Sequence, residues 1–149
     1  MVAGNRPLRG NVASHFQPFL DKYDFAEDWY EGGAMGEMLQ FRSPKFFLRF
    51  VSDRGNFGID ICAVTDSRWI SINLFLEFLR AHPNYTKVKN DHGVVYVDDA
   101  APLFARALTT HFEHIADLLS PELFEQSYYE FQRFLEERAE RLYGPFIRE

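Results

Sequence analysis

Apolar and polar positions alternate along residues 45–61 in a pattern that predicts two β-strands joined by a tight turn. One register brings apolar residues together on one face and opposite charges together on the other. Its cross-strand pairs are Ser52 with Phe57, Phe50 with Ile59, Leu48 with Ile61, and Arg49 with Asp60. A shift by one residue would exchange the two faces, so the sequence specifies this hairpin strongly.

The hairpin belongs to a predicted antiparallel meander of three strands, over residues 37–42, 45–52 and 57–64. The face that we expect to be buried carries six apolar residues, Phe46, Leu48, Phe50, Phe57, Ile59 and Ile61. The second face carries Phe47, Arg49, Val51, Asp60 and Cys62. Because this second face is amphipathic rather than polar, we expect another part of the chain to cover some of it.

Four helices are predicted from apolar residues that recur at helical spacing. They cover residues 12–23, 70–81, 101–119 and 121–142. Residues 24–36 are predicted as a loop, and residues 85–97 fit either a second hairpin or a loop. Helices do not alternate with strands one by one, which disfavours a doubly wound parallel sheet and predicts an α+β fold whose last two helices are C-terminal.

A chain of 149 residues has the size of one domain. We expect residues 1–11 to form a loose N-terminal arm and residues 12–149 to form a single α+β domain. With 46% hydrophobic and 26% charged residues, the composition excludes global disorder. The chain also has 16 phenylalanines, so we expect a few aromatic rings to be exposed for contact with a partner.

The net charge of −6 and the absence of any Lys/Arg run argue against nucleic acid as a partner. No apolar run approaches the roughly 20 residues of a membrane-spanning helix, and the first residues lack the apolar segment of a signal peptide. The single cysteine, Cys62, fits a reducing compartment and is expected in the core. We therefore expect a cytoplasmic protein that binds neither nucleic acid nor membrane.

The strongest metal-like cluster is His111, His114 and Asp117, which share one face of a predicted helix. A second pair of ligands is missing elsewhere in the sequence, so the cluster is interpreted as a solvent-edge stripe and no metal or other cofactor is predicted. Recognised nucleophile, metalloprotease and dinucleotide motifs are absent too. No catalytic residue is assigned, and the balance is against an enzyme without excluding one.

Four residues are candidates for contact with a partner. Trp29 and Tyr30 lie in the predicted loop over 24–36, where aromatic rings either pack over the edge of the sheet or serve as anchors for a partner, since they are harder to bury fully in a loop. Arg49 and Asp60 form the polar pair of the predicted hairpin, either as a simple cross-strand ion pair or as the mark of a partly wet pocket.

Residues 46–55 and 59–61, followed by Trp69, resemble small bacterial proteins of poorly defined function, some of which are similar to immunity proteins of polymorphic toxin systems. This resemblance implies a cytoplasmic acidic protein that neutralises a toxin, and it transfers no site residues. The predicted order of elements also resembles class I type III secretion chaperones, although the long C-terminal helices depart from that pattern.

These observations predict a non-enzymatic module that binds another protein, with an immunity or secretion-chaperone role as the specific hypothesis. The alternative is a small-ligand binder or enzyme with a pocket between the sheet and the helix near 70–81. A homodimer is left open, because the last helix has a broad apolar stripe, although most of it is expected to pack against the preceding helix. The stripe comprises Leu123, Phe124, Tyr128, Phe131, Phe134, Leu135 and Leu142.

Overall fold

A computed structural model describes residues 8–34, 36–81, 83 and 97–144 of the chain. Over these ranges it contains four helices and an antiparallel sheet of five strands, which confirms the predicted α+β class. The elements in chain order are α1 (Leu8–Lys22), β1 (Ala26–Gly32), β2 (Gly36–Arg42), β3 (Phe46–Asp53), β4 (Asn56–Ala63), β5 (Ile70–Ser71), α2 (Ile72–Phe78), α3 (Val97–Leu118) and α4 (Phe124–Tyr143). Across those ranges, no helix is both long and apolar enough to cross a membrane.

The strands follow one another in the sheet in the order of the chain, each antiparallel to the next. The four predicted cross-strand pairs of the β3–β4 hairpin are confirmed. At its turn, Arg54 and Gly55 both have positive φ, of 54° and 84°. Two such residues in a two-residue loop are typical of the type I′ turn, whose twist matches that of the flanking strands.

The inner face of the sheet packs against α1 and α3 and forms the core of the domain. All six apolar residues predicted for this face are buried. Aromatic rings join the layers: Phe16 of α1 meets Phe50 edge to face with centroids 4.8 Å apart, and Phe112 of α3 lies 5.4 Å from Phe46. The excess of phenylalanine is therefore used largely inside the domain.

The predicted N-terminal arm is too long, because α1 begins at Leu8 rather than at residue 12. Leu8 and Asn11 are buried, at 1% and 3% exposure. The Leu8 N–H donates to Oε1 of Glu37 at 2.9 Å, so a carboxylate from β2 satisfies one of the free N–H groups at the helix start. A cap supplied 29 residues away leaves no local signal in the sequence.

The loop predicted over 24–36 is wrong for most of its length, since strand β1 occupies Ala26–Gly32 and pairs with β2. Every residue of β1 is exposed, so the strand shows no alternation of buried and exposed positions. A bulge between Glu27 and Trp29 interrupts the register as well. Both features remove the period-two pattern by which a strand is recognised.

The other boundaries shift for local reasons. The segment predicted as one helix over 70–81 is split into strand β5 and the shorter helix α2, and Arg80 has positive φ (57°) just beyond the helix. Residues 121–123 form a turn, so α4 starts at Phe124, while Gly144 ends it as expected. The second hairpin considered over 85–97 lies outside the described residues except for Val97, which starts α3.

The apolar stripe of α4 packs mainly on α2 rather than on the preceding helix. Phe131 is buried, with its ring 5.4 Å from Phe75 and 5.6 Å from Phe78. Leu123 and Leu142, at the two ends of the stripe, are exposed. Most of the stripe is therefore used within the domain.

Candidate functional site

Three of the four predicted contact residues lie in one row across the outer face of the sheet. Trp29 pairs with Gln40, Gln40 with Arg49, and Arg49 with Asp60. Neighbouring strands are about 4.8 Å apart, so these four residues span roughly 14 Å. We call them the outer row. The pairing of β1 with β2, which the sequence did not predict, brings Trp29 into line with the ion pair.

The ion pair at the β3–β4 end of the outer row is held in place by an aromatic ring. Arg49 donates from Nη2 and Nε to Oδ2 of Asp60, at 2.9 and 3.2 Å. The guanidinium carbon lies 4.2 Å from the centre of the Trp69 ring. Both charged side chains remain about a quarter exposed, so a charged and planar group is presented to solvent in a fixed orientation.

Apolar side chains flank the ion pair on the same face. Trp29 is 55% exposed, and Met38, Phe47 and Val51 are half-buried. A shallow depression of about 450 Å³ begins beside Met38 and Val51 and continues to the glycines at the end of the β1–β2 hairpin. An exposed aromatic, apolar neighbours and an oriented arginine are the groups that dominate the centres of protein–protein interfaces.

Tyr30, the fourth candidate, lies on the opposite face of β1 and is separated from the outer row. Its hydroxyl donates to Oε2 of Glu37, and the guanidinium of Arg9 lies 4.5 Å from the centre of its ring. The hydrogen bond to the Glu37 carboxylate raises the pKa of Tyr30 above its usual value. Tyr30 therefore helps to dock α1 on the sheet.

The turn over 64–69 covers part of the outer face, as the amphipathic pattern predicted. Asp66 accepts the backbone N–H groups of Ser67 and Arg68, which folds the turn and directs Trp69 onto the Arg49 side chain. The Cys62 thiol is buried beneath it, with Sγ 3.4 Å from the Asp66 carbonyl oxygen. Desolvation raises the pKa of this thiol, which fits a core residue rather than a nucleophile.

Arg68 connects this turn to α4. It donates to both carboxylate oxygens of Asp66 and to Oε1 of Glu125, at 2.7–3.0 Å, and lies 4.2 Å from the centre of the Tyr128 ring. The hydrogen bonds from Arg68 hold the pKa of Asp66 far below its usual value. The role of Arg68 was not predicted, although an Asp two residues before an Arg in a short polar segment is a signal for such a turn.

The metal-like cluster lies on α3, with His111 half-buried and His114 and Asp117 exposed. Over the part of the chain that the structure covers, no group of three or more His, Cys, Asp or Glu side chains is placed to hold a metal ion. The three residues project beside the buried Phe112 and Ile115 of the same helix. Their arrangement is that of a solvent-edge stripe.

The cavity between the sheet and α2 has a volume of only about 60 Å³. Ligand pockets usually have about 300–1,000 Å³, which is larger than this cavity among the described residues, and the pocket of the sequence-based alternative stays a prediction. A wider open cleft of about 560 Å³ lies elsewhere, between α2 and α4, and mixes Phe78 and Phe134 with acidic and basic side chains. Glu77, which lines this cleft, is paired with Arg138 at 3.0 Å.

Comparison of the chain with protein-family models, curated proteins and solved structures finds no match.

Proposed function

We propose that this protein is a non-enzymatic module that binds another protein through the outer row, in an immunity-type or secretion-chaperone-type role. The observation that supports it most is the alignment of exposed Trp29 with the Arg49–Asp60 pair on one sheet face. Large amphipathic side chains in such a patch bury much area on binding and lose little conformational entropy.

The shape of the surface also favours a macromolecular partner. Among the described residues, the depression at the outer face is shallow and open, whereas small ligands are usually enclosed in concave pockets. The net charge of −6 would steer a basic partner towards the protein. Within the outer row, Asp60 already neutralises Arg49, so burial of the pair in an interface would not leave an unpaired charge.

Site-specific photo-crosslinking tests this proposal. A photoreactive phenylalanine analogue replaces Trp29 in one variant and Tyr129 of α4 in the other, because the two rings are similarly exposed, at 55% and 59%. After irradiation in the cells that encode the chain, we expect one dominant protein adduct at position 29 and none at position 129. Equal adducts at both positions, or no adduct at position 29, would contradict the proposal.

The partner captured at position 29 then distinguishes the two roles. An immunity protein restores the growth of cells that the partner alone kills. A secretion chaperone instead increases the amount of the partner that leaves the cell, and its deletion lowers that amount. A captured partner that shows neither behaviour would leave the binding function standing and remove both specific roles.

A further inference from the structure

Strand β1 presents an open backbone edge. Within the ranges that the structure covers, it pairs with β2 on one side and with no strand on the other, and all seven of its residues are exposed. The opposite edge of the sheet is different, because β5 has only two residues and leads directly into α2. An exposed strand edge of this length is a ready template for pairing with a further strand.

The hairpin geometry shows which backbone groups face that edge. The Gly33 N–H donates to the Gly36 carbonyl at 2.9 Å and closes the β1–β2 hairpin. Opposed residues in an antiparallel ladder alternate between hydrogen-bonded and non-hydrogen-bonded pairs. Glu31 and Trp29 therefore bond to β2, whereas Tyr30 and Gly32 direct their N–H and carbonyl groups towards the free edge.

The negative charge of β1 indicates which kind of strand can pair with its free edge. Its acidic residues are Glu27, Asp28 and Glu31, of which Glu27 is paired with Arg9 at 2.7 Å. Asp28 and Glu31 have no ion pair among the residues that are described. A second copy of β1 would place two acidic strands side by side, which is destabilising. An added strand with lysine or arginine would instead find opposite charges.

We propose that β1 accepts an extended basic segment of the protein partner as an additional strand of the sheet. Backbone hydrogen bonds to Tyr30 and Gly32 hold the segment, and its basic side chains lie beside Asp28 and Glu31. An apolar residue of the segment packs on Trp29, which makes the edge continuous with the outer row. This inference rests on the proposed function and specifies how the partner is bound.

A peptide titration followed by NMR tests strand addition directly. The probe is a ten-residue peptide in which lysine and valine alternate along one face, with threonine at every position of the other face, and the control has glutamate in place of each lysine. With the basic peptide, we expect slower hydrogen exchange at the Tyr30 and Gly32 amides, while the Trp29 and Glu31 amides, already bonded to β2, change little. Equal effects of both peptides, or an effect away from β1, would overturn the inference.

Two variants sharpen the test. Tyr30→Pro removes the outward N–H, and Tyr30→Phe is its matched control, because both lose the hydroxyl bond to Glu37 but only proline loses the donor. We expect about tenfold weaker peptide binding for Tyr30→Pro and a change below about twofold for Tyr30→Phe. Glu31→Lys should reverse the preference, so that the acidic peptide binds more tightly than the basic one. This variant tests strand addition even if Tyr30→Pro fails to fold.

The result also separates this inference from the proposed function. If photo-crosslinking at position 29 captures a partner but the basic peptide leaves the β1 amides unchanged, strand addition is wrong and the binding function stands. If the basic peptide slows those amides but no partner is captured, the proposed function fails instead. A homodimer that Tyr30→Pro dissociates and Tyr30→Phe does not would assign the edge to a second copy and overturn the basic-segment proposal.

Discussion

The guanidinium carbon of Arg49 lies over the Trp69 ring, 4.2 Å from its centre, while the guanidinium donates two hydrogen bonds to Asp60 across the hairpin. The ring and the carboxylate together hold the Arg49 side chain in place. This arrangement orients the only basic member of the outer row, and it links the β3–β4 hairpin to the turn over 64–69.

Replacement of Arg49 should expose Trp69 without unfolding the domain. In a Trp29→Phe background, Arg49→Ala should shift the remaining tryptophan emission to longer wavelength. The free energy of unfolding should fall by only about 1 kcal/mol, because the pair is partly exposed. Arg133→Ala is the control, since Arg133 makes an exposed pair with Glu137 on α4. An unchanged emission maximum would show that the stacking does not persist in solution.

The Asp66 carboxylate should contribute to stability in a pH-dependent way. Hydrogen bonds from Arg68 lower its folded-state pKa below the usual value of 3.8, so its contribution is present above that value and is lost as the pH falls towards the folded-state pKa. Carbon-13 NMR of the side-chain carboxyl should follow this titration. In Arg68→Ala the pKa of Asp66 should rise towards 3.8, whereas Arg133→Ala should leave it unchanged.

The start of α1 should depend on a residue of β2. Glu37→Ala, made in a Tyr30→Phe background that already lacks the hydroxyl bond to Glu37, removes the acceptor of the Leu8 N–H and should lower the free energy of unfolding by about 1 kcal/mol. Glu31→Ala is the matched control, because Glu31 lies on the neighbouring strand and makes no ion pair among the described residues. Urea unfolding of both variants measures the difference. Equal midpoints would show that the tertiary cap does not stabilise the helix.

Close backbone packing makes glycine necessary at position 36. A Cβ atom there would collide with the Ser52 carbonyl oxygen on β3, whereas a Cβ atom at Gly58 would meet nothing within 4 Å. Gly36→Ala should therefore destabilise the protein by about 1–3 kcal/mol, while Gly58→Ala should be neutral or slightly stabilising. Thermal unfolding compares the two, and a neutral Gly36→Ala would mean that β2 and β3 separate more easily than their register indicates.

The sequence predicted an element correctly where its two faces carry different kinds of side chain. The β3–β4 hairpin is specified by apolar pairs on its inner face and by Arg49 with Asp60 on its outer face, and its register is confirmed. Strand β1 has no buried face, so no pattern could reveal it. The start of α1 could not be predicted either, because the residue that caps it, Glu37, lies on β2 and far away in the sequence.

The candidate site was predicted in parts rather than as a unit. Arg49 and Asp60 were paired from the hairpin register, and Trp29 was a candidate anchor in a predicted loop. Their alignment depends on the pairing of β1 with β2, and that pairing depends on a strand the sequence does not mark. The orientation of Trp69 was missed because it follows from the fold of the turn around Asp66.

The affinity of Trp29→Ala for the captured partner, measured by isothermal titration calorimetry beside Tyr129→Ala, tests the binding role of the outer row most directly. Both substitutions remove an exposed aromatic ring, so they are matched for lost surface. We expect Trp29→Ala to weaken binding by about 2 kcal/mol, or roughly thirtyfold, and Tyr129→Ala to change it by less than about twofold. Equal affinities of the two variants would contradict a role of the outer row in binding.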